Sequence, residues 1–147
     1  MSSNDTFVYT IYIVAPIERV WKALTEGEFT RRYWGNRTVV SDWTPGSAVE
    51  FHNETTQQVD ISGEVLECTP PRRLAYTWRF PTQAGGETTR VAFDLEQRGE
   101  AVKLSLVHES VPEDSGVRTG WPSVLSSLKT LLETGAPLPE AASECRH

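Results

Sequence analysis

Hydrophobic and polar positions alternate through the middle of the chain and predict a series of short strands. Apolar residues or glycine occupy every second position over residues 59–65, 74–80, 91–95 and 102–106. A period of two places one set of side chains on a buried face and the other on a solvent-facing one. The connections between these runs are short, as in RGE at 98–100, and therefore favour an antiparallel meander.

Three further segments have the β-branched and aromatic composition of strands. The sequence FVYTIYIV at residues 7–14 predicts the first strand. Residues 38–43 and 48–53 predict two more, on either side of the turn sequence TPGS. Together with the alternating runs, these segments give a sheet of about six or seven strands.

Two short helices are predicted between the first and second strands. Apolar residues at positions 17, 20, 21 and 24 share one helical face. Thr25 and Glu28 have the spacing of a capping box, which predicts the start of a second helix. Gly35 is a suitable end for that helix because glycine readily adopts the left-handed conformation found there.

The segment GWPSVLSSLKTLLETG, residues 120–135, predicts one long helix. Its apolar residues from Trp121 to Leu132 form a single stripe, Pro122 suits a first turn, and Gly135 suits the end. A sheet with one apolar face needs a cover, and this is the broadest stripe in the sequence. The predicted fold is therefore an α+β helix grip, in which a curved antiparallel sheet wraps around the long C-terminal helix. We expect one domain over residues 7–135 and a flexible tail over residues 136–147.

Composition and charge narrow the classes of function. The chain has 147 residues, a size typical of one domain, and a net charge of −6. Its basic residues occur in short pairs among acids, so nucleic acid is not an expected partner. No apolar run approaches the ~20 residues of a membrane span, and no signal-peptide pattern is present, so we expect a cytoplasmic protein. The two cysteines and three scattered histidines lack metal-ligand spacing, so we expect no metal and no cofactor.

Six segments occur in the order found in a known family. They are IYIVAPIERVWKALTEGEF (11–29), YWG (33–35), GEVLECTPPRRLAYTW (63–78), the alternating V-F-L strand (91–95), LSLVHE (104–109) and GWPSVLSSLKTLLETG (120–135). The ordered set resembles the activator of heat-shock protein 90 ATPase homologue family, within the SRPBCC or START-like helix-grip superfamily. The resemblance implies the helix-grip fold. It also implies the activities ascribed to family members, which bind small hydrophobic molecules or act on partner proteins.

The inward-facing positions of the predicted sheet and long helix supply candidate ligand-binding residues. Aromatic rings line apolar clefts well, and tyrosine, tryptophan and histidine add a polar group that can orient a ligand. The alternative is that these residues pack as an ordinary filled core. The candidates are Tyr33, Trp34, Phe51, Tyr76, Trp78, Phe93, His108, Trp121, Leu125 and Leu128.

Three of these predictions have explicit structural alternatives. The polar groups of Tyr76 and Trp78 could either orient a ligand or only reach the backbone. Tyr33 and Trp34 follow the second short helix and could form either a lip over the cavity mouth or a local packing staple. His108 ends an otherwise apolar alternation and could hydrogen-bond a ligand. As the alternative, it is bonded to a loop or exposed to solvent at the end of its strand.

Three functions are open at this point. The first is binding of a small hydrophobic or aromatic molecule between the sheet and the long helix. The second is a protein-interaction or stress-response module, which the resemblance to a co-chaperone domain suggests. The third, less favoured, is an enzyme of the cyclase or hydrolase kind. No catalytic residue is assigned, because nucleophile motifs are missing and the neighbouring His108 and Glu109 point to opposite faces of their strand.

Overall fold

The computed structural model describes residues 4–81, 88–112 and 117–136, in which seven strands and three helices are formed. The strands are β1 (Asn4–Ile13), β2 (Arg37–Ser41), β3 (Ala48–Asn53), β4 (Gln58–Thr69), β5 (Arg73–Trp78), β6 (Thr89–Arg98) and β7 (Ala101–Pro112). They form one antiparallel sheet in the order β1-β7-β6-β5-β4-β3-β2. The predicted meander is therefore confirmed from β2 to β7, and β1 returns to pair with β7.

The three helices occupy the predicted places in the chain. Helices α1 (Ile17–Thr25) and α2 (Gly27–Tyr33) lie between β1 and β2, and α3 (Val117–Thr134) follows β7. Two hydrogen bonds join the second half of α3 to the end of β1. Lys129 Nζ donates to the Tyr12 carbonyl oxygen at 2.7 Å, and the Glu133 carboxylate accepts from the Val14 amide at 2.7 Å.

The alternation of the strands matches the two faces of the sheet. Leu74, Tyr76 and Trp78 of β5 are buried, whereas Arg73 and Thr77 on the other face are only partly buried. The small Ala75 is buried on that other face as well. The cross-strand pairs Leu74–Phe93 and Phe93–Leu106 extend this buried face over β6 and β7. The apolar stripe of α3 covers it with Trp121, Val124, Leu125, Leu128 and Leu131, all buried.

Three irregularities bend the sheet, as a grip around a helix requires. The pairing register shifts between Asp5 and Phe7, between Phe51 and His52, and between Val65 and Glu67. Such bulges kink a strand and increase its twist. The predicted helix-grip fold is confirmed.

Two predicted helix starts are wrong. Helix α3 begins at Val117, so Pro122 is its sixth residue and not part of its first turn. The apolar stripe begins only at Trp121, and the pattern therefore misses the turn that precedes it. The capping box is also not formed. Thr25 is the last residue of α1, its hydroxyl donates to the Trp21 carbonyl, and α2 is capped by Glu26 without a side-chain hydrogen bond.

Both predicted glycine helix ends are confirmed. Gly35 and Gly135 have positive φ values of 58° and 91°, in the conformation that glycine adopts at low cost. The Gly135 amide also donates to the Leu131 carbonyl at 2.8 Å. The predicted tail lies outside the described residues apart from Ala136. In the described part of the chain, none of the helices is long and apolar enough to cross a membrane.

Candidate functional site

Seven of the ten candidate residues form one group of rings between the sheet and α3. We call this group the aromatic cluster, and all its members are 0–5% exposed. Ring centroids lie 4.6 Å apart between Trp34 and Phe51, 5.2 Å between Trp34 and Trp121, and 5.3 Å between Trp78 and Trp121. The aromatic cluster consists of Trp34, Phe51, Tyr76, Trp78, Phe93, His108 and Trp121.

Strand pairing brings most of these rings to one end of the sheet. Tyr76 lies opposite Val91, Val91 lies opposite His108, and Trp78 lies opposite Thr89. Trp121, in the first half of α3, covers this end from above, with its ring 6.2 Å from that of His108. The aromatic cluster thus depends on strand register, which alternation within a single strand does not reveal.

Trp34 enters the cluster because the chain turns sharply after α2. Gly35 and Asn36 both have φ values of 58°, and glycine and asparagine are the residues that tolerate this conformation best. Trp34 is 5% exposed and stacks on Trp78 with a centroid separation of 6.0 Å. It therefore lies inside the structure and does not form the predicted lip.

Tyr33 and the two leucines occupy neighbouring positions with structural contacts. The Tyr33 hydroxyl donates to the Ala23 carbonyl oxygen at 2.7 Å, which joins the end of α2 to α1. Tyr33 is buried and lies 6.1 Å from the Trp34 ring. Leu125 and Leu128 are buried on α3 and belong to the same apolar core. Tyr33, Leu125 and Leu128 therefore belong to the core beside the aromatic cluster.

His108 is buried, and both of its ring nitrogens have partners within the protein. Trp121 Nε1 donates to His108 Nδ1 at 3.0 Å. An indole nitrogen can only donate, so Nδ1 is unprotonated and Nε2 carries the proton. Nε2 lies 2.7 Å from the Thr89 hydroxyl oxygen and donates to it, while that hydroxyl donates to the Trp78 carbonyl at 3.2 Å. The position is therefore neither solvent-exposed nor open for a ligand.

Burial controls the protonation of the two titratable cluster residues. Desolvation lowers the pKa of His108 to about 4, and its neutral form fits the donor from Trp121. Burial also raises the pKa of the Tyr76 hydroxyl. Both side chains are consequently neutral at physiological pH, and the aromatic cluster is uncharged.

One polar atom of the cluster has no partner. Trp78 Nε1 is buried, and no hydrogen-bond acceptor for it is found among the residues that the structure describes. The Trp78 ring contacts Trp34, Phe51, Phe80, His108 and Trp121. Buried donors are nearly always paired in proteins, so this atom needs an explanation.

Three contributors were missed by reasoning from the sequence. Thr89 completes the His108 network, Phe80 meets the edge of Trp78, and Trp43 lies 6.2 Å from Tyr76 while donating to the Thr25 carbonyl. Phe80 belongs to the same alternation as Trp78, which is a signal that could have found it. Thr89 becomes recognisable only from the pairing of β5 with β6, and Trp43 only from the loop geometry.

A surface cleft of about 390 Å³ lies beside α1 and α2 and includes none of the predicted residues. Its lining consists of Pro16, Glu18, Arg19, Lys22, Glu26, Glu28 and Phe29. The cleft offers mixed charges at the surface, in contrast to the neutral, buried rings. No group of residues suited to hold a metal ion occurs in the described part of the chain.

The comparisons with known proteins agree with the fold. The family model described as Activator of Hsp90 ATPase homolog 1-like protein matches residues 14–133. A search of curated proteins finds no match to the chain. Among solved structures, CalU16 from Micromonospora echinospora is 25% identical with a TM-score of 0.71, over 96% of this chain and 81% of that one.

Two other solved structures are similar over most of this chain. DynU16, a protein of the dynemicin biosynthetic locus, is 25% identical with a TM-score of 0.72, over 92% of this chain and 49% of that one. PFC0360w, an HSP90 activator from Plasmodium falciparum, is 20% identical with a TM-score of 0.72, over 90% of this chain and 98% of that one. The second likeness concerns the fold alone.

Proposed function

We propose a ligand-binding function for this chain, which belongs to the family of Activator of Hsp90 ATPase homolog 1-like proteins. The ligand is a small hydrophobic or aromatic molecule held between the sheet and α3. The observation that carries the proposal is the aromatic cluster, in which rings from β3, β5, β6, β7 and α3 are joined through Trp34, Trp78 and Trp121.

The energetics of ring contacts support such a role. Tilted and edge-to-face ring pairs contribute about 0.5–1.5 kcal/mol each beyond the area that they bury. A flat guest that separates two rings replaces one ring contact by two similar ones. The rings must move apart to admit the guest, because protein interiors are close-packed, and the guest gains the burial of its own apolar surface, about 25 cal/mol per Å². The proposal requires this gain to offset the packing lost between the sheet and α3.

The similarity to DynU16 is consistent with this proposal. That protein is described as belonging to a biosynthetic locus for a small molecule, dynemicin. We take that context as support for a small-molecule site in the present chain.

The proposal is tested by locating the binding of aromatic probes. Naphthalene and fluorene are titrated into the nitrogen-15-labelled protein while amide and indole resonances are followed. We expect shifts concentrated at Trp78, Phe93 and Trp121. Changes confined to the α1–α2 cleft, or no saturable changes with either probe, would overturn the proposal.

A pair of variants separates the two locations. Phe51→Leu removes a ring that contacts Trp34 and Trp78, and we expect it to weaken probe binding severalfold. Lys22→Gln alters the α1–α2 cleft and is expected to leave binding unchanged. Melting curves of both variants establish that the folded protein is being compared.

A protein partner is the second candidate function. Val8, Tyr12 and Val14 are 60%, 48% and 56% exposed along and just after the edge strand β1. The HSP90 activator from Plasmodium falciparum shares the fold. If this candidate is right, the chain retains a cytosolic chaperone in a pull-down and changes its ATP turnover, and Val8→Thr combined with Tyr12→Ser abolishes both effects.

An enzymatic function gains little from the position of His108. Its Nδ1 lone pair accepts from Trp121 and its Nε2 proton is donated to Thr89, so neither nitrogen is available to a substrate. Binding without catalysis therefore remains our preferred interpretation. The cytoplasmic location and the lack of a nucleic-acid partner stay predictions from the sequence.

A further inference from the structure

The unpartnered indole nitrogen of Trp78 carries chemical information about the ligand. Trp78 is 5% exposed, and its Nε1 atom finds no acceptor among the described residues. Two other indoles in contact with cluster rings are paired, because Trp121 donates to His108 and Trp43 donates to the Thr25 carbonyl. A phenylalanine would fill much of the Trp78 position without an unpaired donor, so the nitrogen marks a missing acceptor.

The polar groups of His108, Thr89 and Trp121 beside Trp78 are satisfied within one network. His108 Nδ1 accepts from Trp121, and His108 Nε2 donates to Thr89. The Thr89 hydroxyl in turn donates to the Trp78 carbonyl. The Trp78 N–H lies beside this network and lacks a partner, so a ligand at this position contributes an acceptor.

The charge of the site limits the ligand further. His108 is neutral, with a pKa of about 4, and therefore provides no positive charge for an anion. A carboxylate or phenolate held by one neutral N–H would lose most of its hydration without compensation. Carbonyl oxygens accept hydrogen bonds without carrying a net charge, and flat rings match the surrounding side chains.

We infer that the site takes a neutral, flat aromatic carbonyl compound whose oxygen accepts a hydrogen bond from Trp78 Nε1. This inference rests on the proposed ligand-binding function and specifies the class of molecule. The aromatic rings of the ligand lie among those of the cluster. Its carbonyl oxygen supplies the acceptor that the described residues lack.

The test compares two probes of nearly identical shape, fluorenone and fluorene, which differ by one carbonyl group. Dissociation constants are measured for the parent protein and for Trp78→Phe, so that differences in probe hydration cancel in the double comparison. We expect the preference for fluorenone over fluorene to fall about threefold to tenfold in Trp78→Phe, the range of one neutral hydrogen bond. Trp43→Phe is the matched control, since its indole already has an acceptor, and it should keep the preference.

A spectroscopic measurement makes the result independent of the stability of the variant. In the parent protein, the Trp78 indole proton resonance should move downfield with fluorenone and not with fluorene. Equal preferences in the parent and in Trp78→Phe, or an unmoved indole resonance at saturation, would overturn the inference and leave ligand binding intact. If neither probe binds, both the inference and the proposed function are overturned.

Discussion

The two ends of the interior are built from different chemistry. At one end, the second half of α3 packs aliphatic side chains over β1, β6 and β7 near the β6–β7 turn. Lys129 bonds there to the Tyr12 carbonyl of β1, and Glu133 bonds to the amide of Val14, the residue after β1. We call this the aliphatic end, which consists of Ile13, Leu95, Val102, Leu104, Leu128 and Leu131. At the other end, Trp121 lies on the aromatic cluster.

The difference concerns polar atoms more than apolar area. The six side chains of the aliphatic end carry no donor or acceptor, so their contribution to stability comes from packing. The aromatic cluster buries an imidazole and several indoles, each of which needs a partner. One of those needs is unmet at Trp78. We therefore assign the maintenance of the fold to the aliphatic end, and the ligand recognition proposed above to the aromatic cluster.

The largest effect is expected at the aliphatic end, from Leu128→Asp. Leu128 is fully buried, and truncating such a leucine to alanine already costs about 2–5 kcal/mol. A carboxylate adds the cost of burying an unpaired charge. Because domains are stable by only about 5–15 kcal/mol, we expect the variant to be largely unfolded at room temperature by circular dichroism.

The conservative change Leu128→Met controls for this prediction. It keeps volume and apolarity, and we expect a loss below about 1.5 kcal/mol in urea unfolding. If Leu128→Asp melts at the same temperature as the parent protein, the stripe of α3 is not buried at this position. The division between the two ends would then be wrong.

The second effect is a pH dependence that belongs to the aromatic cluster. His108 has a pKa of about 4 in the folded chain, compared with about 6.5 when exposed. Between these values the unfolded chain binds more protons, so stability decreases as the pH falls through this window. The contribution of His108 to the free energy of unfolding is fully present above about pH 6.5. About 3 kcal/mol of that free energy is lost by about pH 4.

This pH dependence is measured by urea unfolding of the parent protein and of His108→Gln. Carboxylates contribute equally to both proteins, so the difference between their pH profiles isolates the histidine. We expect the parent to lose about 3 kcal/mol more than the variant on acidification from about pH 7 to about pH 4. Parallel profiles would show that the imidazole is solvated in the folded protein.

The third effect concerns the backbone that positions Trp78. A Cβ atom at Gly63 of β4 would lie 1.8 Å from the carbonyl oxygen of Thr77, the residue before Trp78. Gly63→Ala must therefore displace the β4–β5 pairing beside the cluster, and we expect a loss of about 1–3 kcal/mol. The same substitution at Gly120 in α3 meets no atom within 4 Å. Gly120→Ala should be neutral or stabilise the helix by up to about 1 kcal/mol.

Urea unfolding of both glycine variants compares one chemical change in two environments. The Trp78 indole resonance should move in Gly63→Ala and stay in place in Gly120→Ala. Equal stability of the two variants would mean that the close approach between β4 and β5 does not constrain the position of Trp78.

The aliphatic end and most of the fold could be predicted from the sequence, because both follow from periodicity. Alternation along β5 to β7 and the stripe of α3 specify which side chains are buried, and the structure agrees for Tyr76, Phe93, Leu104 and Leu128. Helix starts were less predictable. The first turn of α3 lies before the apolar stripe, so the pattern of apolar residues could not predict it.

The polar contacts of the cluster could not be predicted, because they depend on pairing between distant segments. The partners of His108 come from α3 and from the first residue of β6, and only strand register brings Thr89 beside Trp78. The inward position of Trp34 depends on two left-handed residues after α2. The cluster members on the strands were thus predictable from alternation, whereas the position of Trp34 and the hydrogen bonding of the cluster were not.

The smallest effect tests the comparison most directly, by making one substitution at two indoles. Trp78→Phe leaves a small void, which destabilises the protein. It also removes a buried donor without a partner, and such an unsatisfied donor costs the parent protein about 1–3 kcal/mol. These terms oppose each other, and we expect a net change within about 1 kcal/mol. Trp121→Phe leaves a similar void and deprives His108 Nδ1 of its donor, so it should cost about 2 kcal/mol more than Trp78→Phe. Urea unfolding without ligand measures both variants, and a Trp78→Phe that is the less stable of the two would show that this N–H is satisfied in the folded protein.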